Sequence, residues 1–110
     1  MTLPKTGKLV RDRIPQIIED SGKVPETCVV EGEDFVEALK RKLDEEVQEL
    51  RSASISALAE EIADTLEVLL AIAERHGLHW EDIERLAGEK RAERGGFGTG
   101  TWLLGVASAT

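Results

Sequence analysis

The chain has 110 residues, 41% of them hydrophobic and 33% charged, and a formal net charge of −8. That length sets one domain over residues 1–110, with enough apolar content for a core, so a disordered chain is excluded, and so is a dedicated nucleic-acid binder, because phosphate backbones are held by Lys and Arg. A single cysteine excludes an intrachain disulfide, and no apolar run of spanning length or secretory signal is seen, so a cytoplasmic protein without a membrane partner is expected.

In chain order, residues 1–7 are expected to be flexible. Asp12 is placed to cap a helix whose first turn holds Pro15, where the missing N–H costs nothing, and Ser21-Gly22 stops it. The β-prone run TCVV, residues 27–30, predicts a short strand with Cys28 as a small buried side chain. Gly32 to Asp34 opens a long helix reaching Ser52, with Val36, Leu39, Leu43, Val47 and Leu50 as its apolar stripe.

The stretch SASIS, residues 52–56, is a turn, since serine competes for backbone hydrogen bonds. Ser54 or Ser56 then caps a second long helix to Arg75, terminated by Gly77. So short a connection makes the two helices antiparallel neighbours. The second helix carries Leu58, Ile62, Leu66, Val68, Leu69, Leu70 and Ile72, apolar around most of its circumference, and must be covered on several sides. A third helix runs from Trp80 to about Glu93, with His76 and His79 solvent-facing around the preceding turn. RGGFGTG breaks that helix, TWLLGV at 101–106 predicts a strand pairing with 27–30, and residues 107–110 are expected to be flexible.

Both long helices put acids on core-facing or flanking positions. Glu46 falls on the face that carries Leu39, Leu43 and Leu50, with Glu49 three residues on; in the second helix Glu61 and Asp64 continue the stripe of Ala57, Val68 and Ile72. Facing each other, the stripes enclose four carboxylates, which repel unless a strong counter-charge sits among them. Oxygen-only donors select a hard cation, Mg²⁺ or Mn²⁺, and an ion held this way completes its shell with substrate phosphates. Lys90, Arg91 and Arg94, leading into Gly95 and Gly96, can meet such an anion, although basic residues before a glycine cap also suit a helix C-terminus.

These segments resemble a known family, the all-α, MazG-like nucleoside triphosphate pyrophosphohydrolases, and within it the phosphoribosyl-ATP pyrophosphohydrolase-like branch. The likeness rests on E-E-x-x-E at Glu45, Glu46 and Glu49, on E-x-x-D at Glu61 and Asp64, and on the flanking runs KLVRDRIPQII and KRAERGGF. The resemblance implies Mg²⁺-dependent hydrolysis of a nucleoside triphosphate between the α and β phosphates, giving a nucleoside monophosphate and pyrophosphate. It implies house-cleaning of non-canonical nucleotides or action on a phosphoribosyl-ATP-like substrate. It implies metal ligation by Glu46, Glu49, Glu61 and Asp64, and water activation by Glu45. Lys90 and Arg94 would hold phosphates, with Lys8, Arg11 and Arg13 as weaker candidates, and Phe97 and Trp102 could stack on a base or serve as core.

The architecture expected is all-α: antiparallel helices in a four-helix-bundle core completed by homodimerisation, with a minor strand pair. Two rivals stand beside the enzyme. A non-catalytic acidic helical interaction domain would show no metal dependence of stability, and a di-metal redox bundle would want Glu-x-x-His pairs, which the sequence lacks.

Overall fold

The computed structural model describes residues 3–109. It is all-α, and the described residues form four α-helices, α1 (Ile14–Asp20), α2 (Gly32–Ser52), α3 (Leu58–Arg75) and α4 (Trp80–Arg94), with a 3₁₀ turn, Ile55–Ala57, between α2 and α3. The chain divides into two compact units, Met1–Gly77 and Leu78–Thr110. Each is taken by itself below. The flexibility expected of residues 1, 2 and 110 lies outside the described residues, while 3–7 and 107–109 carry no helix or strand.

In the first unit, α1 begins one residue later than expected. Arg13, not Asp12, holds the N-cap position, with no side-chain cap, because Pro15 sits in the first turn and sets the start. Its end follows the expected chemistry. Ser21 Oγ donates to the Ile18 carbonyl at 2.6 Å, and Gly22, at φ 87°, donates its N–H to the Glu19 carbonyl at 2.9 Å.

Helix α2 has Glu33 and Asp34 in its first turn and Arg51 in its last, matching the helix dipole at both ends. It stops where Ala53 turns extended, at φ −68° and ψ 141°. The capping expected of Ser54 or Ser56 does not occur. The 3₁₀ turn intervenes, Ala57 holds the N-cap of α3, and the two serine hydroxyls bond each other at 3.1 Å. Gly77 ends α3 as expected, at φ 69°, donating to the Glu74 carbonyl at 3.1 Å.

Two pairings fix the direction of the α2–α3 hairpin. The Arg75 guanidinium lies 6.0 Å from the centre of the Phe35 ring, and Glu46 meets Asp64. Moving forward along α2 therefore means moving backward along α3. Ala38 and Leu39 of α2 and Val68 and Ala73 of α3 are the buried core of the described residues. That core is thin. Leu58, Ile62, Leu66 and Leu69 of α3 are 39–53% exposed, and at about 100° per residue they share one face, turned away from the Glu61, Asp64 and Val68 side that meets α2.

The expected strand pair is absent among the described residues. Segments 27–30 and 101–106 have neither strand nor bridge, and Cys28, expected to be buried, is exposed. A four-residue run is too short to hold itself extended without a ladder partner, and Pro25 just before it has no N–H to donate.

In the second unit, α4 carries Glu81 and Asp82 in its first turn and Arg91 and Arg94 in its last. Asp82 pairs with Arg85 at 2.9 Å, and Gly95, at φ 81°, closes the helix by donating to the Arg91 carbonyl at 2.8 Å. Trp80 and Ile83 are half-buried, and His76 and His79 face solvent as expected. No described helix is long and apolar enough to cross a membrane.

Candidate functional site

The hairpin register carries Glu46 of α2 to Glu61 and Asp64, which lie one turn apart at the start of α3. Carboxylate oxygens of these three residues lie within 4.8 Å of one another, and all three side chains are half-buried. Three of the four expected metal ligands are thus brought together. Glu49, one turn beyond Glu46 on α2, is exposed, yet close enough for its charge to act on Glu61.

Positive side chains border the trio. Arg11 Nη2 donates to Asp64 Oδ1 at 2.8 Å, so the segment ahead of α1 reaches across to α3. Lys8 Nζ donates to Glu45 Oε1 at 3.1 Å, and Lys42 Nζ lies 3.2 Å from both Glu45 Oε2 and Glu46 Oε1. Lys42 is absent from the expected site residues. Its signal lay in its spacing, three and four residues before Glu45 and Glu46 on one helix, which makes them neighbours on the surface.

The two sides of the cluster titrate in opposite senses. For Glu61, partial burial, then the charges of Asp64, Glu49, Glu46 and Glu60, push the carboxyl above its ordinary value of 4.5. For Glu45, burial also acts to raise it, but hydrogen bonds and charge from Lys8 and Lys42 together outweigh burial and hold the carboxyl below that value. With both oxygens engaged, Glu45 stands beside the trio as an ion-paired neighbour.

A groove of about 630 Å³ runs from this cluster along the hairpin. Glu46, Asp64, Lys42 and Arg11 line it, together with the apolar Phe35, Leu39 and Val68 and the charged Glu67, Glu74 and Arg75. Arg13 is at the start of α1 and exposed. Lys90, Arg94, Phe97 and Trp102 belong to the second unit, where all are exposed; Phe97 at 102% and Trp102 at 84% are not core.

No protein-family model matches the chain, and no solved structure matches it. An uncharacterized protein of Mycolicibacterium smegmatis (strain ATCC 700084 / mc(2)155) is 49% identical to it over 47 residues, 43% of this chain and 48% of that protein. The chain therefore spans about half the length of the curated relative it matches.

Proposed function

We propose that the protein is a Mg²⁺-dependent nucleoside triphosphate pyrophosphohydrolase, cleaving between the α and β phosphates, and that it belongs with the all-α, MazG-like enzymes its motifs resemble. The observation that carries the reading is the meeting of Glu46 with Glu61 and Asp64, three carboxylates from two helices with oxygens within 4.8 Å of one another. The donor set fits the ion. Glu46, Glu61 and Asp64 would hold the ion, with Glu49 as a fourth carboxylate, and such oxygen-only donors suit a hard divalent cation. Mn²⁺ takes the same donors.

The bound ion would supply neutralisation of the triphosphate and activation of water. The chain's own residues do the rest. Lys8 and Lys42 shift from Glu45 to phosphate oxygens, and Arg11 does the same from Asp64, so binding of the substrate frees the acids that these cations hold in its absence. Glu45 then accepts the proton of the attacking water as its oxygen bonds to phosphorus, and pyrophosphate leaves with the electron pair of the broken anhydride bond. Roles for Lys90, Arg94 and Arg13 toward phosphate, and for Phe97 and Trp102 toward a base, rest on the sequence and the resemblance alone.

The reading includes a homodimer. A second copy laid on Leu58, Ile62, Leu66 and Leu69 would cover the exposed face of α3 and complete a four-helix core. One observation favours a second reading, a non-catalytic helical interaction domain: Lys8, Arg11 and Lys42 already pair with the acids, as in a purely structural ion-pair network.

A screen of nucleoside triphosphates with pyrophosphate detection separates the two. The enzyme releases pyrophosphate only with Mg²⁺, and Glu46→Gln loses at least roughly 10- to 100-fold, the loss typical of even an outer-shell partner of a metal. Wild-type activity without divalent ions, or full activity in the variant, overturns the metal role. Absence of turnover together with a melting temperature indifferent to Mg²⁺ favours the interaction domain.

A further inference from the structure

We infer that residues 8–11 form a strap latched across the carboxylate cluster, and that a divalent ion entering the cluster releases the strap before any substrate is present. The inference rests on the metal role in the proposed function and adds its regulation: strap and ion exclude each other.

The segment is held at two points. Lys8 and Arg11, three residues apart with no helix or strand between them, reach Glu45 on α2 at 3.1 Å and Asp64 on α3 at 2.8 Å. These pairs cross 37 and 53 residues of chain, so they report where the segment packs and not the spacing of one helix. Between them Leu9 is half-buried, and Leu9 and Val10 both line the hairpin groove. On one side of the strap Gly7 turns the backbone at φ 93°, a conformation that favours glycine. On the other, the Arg11 carbonyl accepts from the Ile14 N–H at 3.0 Å and ties the strap to the start of α1.

The latch is weak by construction. Both pairs are exposed to solvent, and exposed ion pairs contribute little to stability. A divalent ion ligated by Asp64 sets two positive charges beside a guanidinium bonded to the same carboxylate, and its field also reaches Glu45, the neighbour of Glu46. Solvent replaces a carboxylate as partner of Arg11 or Lys8 at small cost. The ion has no such substitute, since no second group of three acids is placed to hold a metal among the described residues. The strap is therefore the side that yields. By linkage, a closed strap weakens ion binding by the same factor by which the ion favours opening. Transfer of Lys8 and Arg11 to phosphate oxygens then starts from an open strap.

The test uses the full chain with Mn²⁺ alone, without nucleotide, and reads ion affinity and strap position separately. In calorimetric titration Arg11→Gln should bind Mn²⁺ roughly 5- to 150-fold more tightly than wild type, the usual span of coupling between two sites, and Arg11→Lys, which keeps the charge, should shift less. In limited trypsin digestion read by mass spectrometry, Mn²⁺ should speed cleavage of wild type after Lys8 and leave cleavage after Arg94, in the second unit, unchanged. Arg11→Gln should be cut after Lys8 at the faster rate with or without the ion. Equal or weaker Mn²⁺ affinity in Arg11→Gln overturns the latch, and a weaker one marks Arg11 as a support for its carboxylate. Cleavage of wild type after Lys8 that Mn²⁺ leaves unchanged or slows overturns it as well, and that arm decides even if the variant does not fold. If neither wild type nor folded Arg11→Gln binds Mn²⁺, the metal role falls and the strap with it; if both bind equally, the strap alone falls.

Discussion

Glu61 and Glu45 pull stability in opposite directions. The Glu61 carboxyl, raised by partial burial and then by its acidic neighbours, holds its proton more firmly folded than unfolded, so its effect is to lower metal-free stability as pH climbs through the interval just above 4.5, and to keep it lowered at neutral pH. Glu45 is the reverse: its ion pairs with Lys8 and Lys42 stabilise at neutral pH, and that contribution is lost as pH falls below 4.5 through its depressed pKa. Glu61→Gln removes the repulsion. Near neutral pH and without divalent ions the variant should melt at a higher temperature than wild type, and under the proposed function it should gain less from added Mg²⁺, since a ligand is gone. A thermal-shift series over pH, with and without Mg²⁺, reads both effects; a variant that melts lower at neutral pH without metal contradicts the electrostatic account. Much of this neighbourhood was legible in the residues. The spacing of Glu46, Glu61 and Asp64 placed them on facing stripes, because helical periodicity and a short link determine which sides meet. Lys42 was passed over because a lysine among acids on a helix is usually a solvated surface partner, although its spacing of three and four residues from Glu45 and Glu46 on one helix marks it as their neighbour.

At the level of elements, α2 and α3 carry the first unit. Leu39, 4% exposed, is one of the four buried hydrophobic residues among those described. Leu39→Ala should cost about 2–5 kcal/mol by chemical denaturation, and with so thin a core the loss should appear as partial unfolding even before denaturant is added. A cost under about 1 kcal/mol would place the true core elsewhere. The long helices and the Gly77 stop were legible because each had strong local chemistry: a sustained apolar repeat, acids and bases matched to the dipole, and a glycine at positive φ. Caps were read less well. Asp12, Ser54 and Ser56 all have the right side chains, yet Pro15 and the 3₁₀ turn set the helix starts by backbone geometry that residue type does not announce. The strand pair failed for a related reason, since β-propensity describes a fit to a sheet and segments 27–30 and 101–106 have no sheet to fit.

For the molecule as a whole, the exposed face of α3 is the feature most open to test. An apolar stripe of this length on a chain with four buried hydrophobic residues among those described calls for a covering surface. Under the proposed homodimer, Leu69→Lys places a charge in the interface and should yield monomers at concentrations where wild type sediments as a dimer, with lower thermal stability. Sedimentation velocity decides it, and a monomeric wild type would remove the dimer from the account. The five-residue link between α2 and α3 has a kinetic corollary. Contacts that close over so short a stretch of chain form early and at little entropic cost, so the hairpin is the natural nucleus for refolding. Any association with a second copy then follows as a bimolecular phase, and its rate, unlike that of hairpin closure, rises with protein concentration.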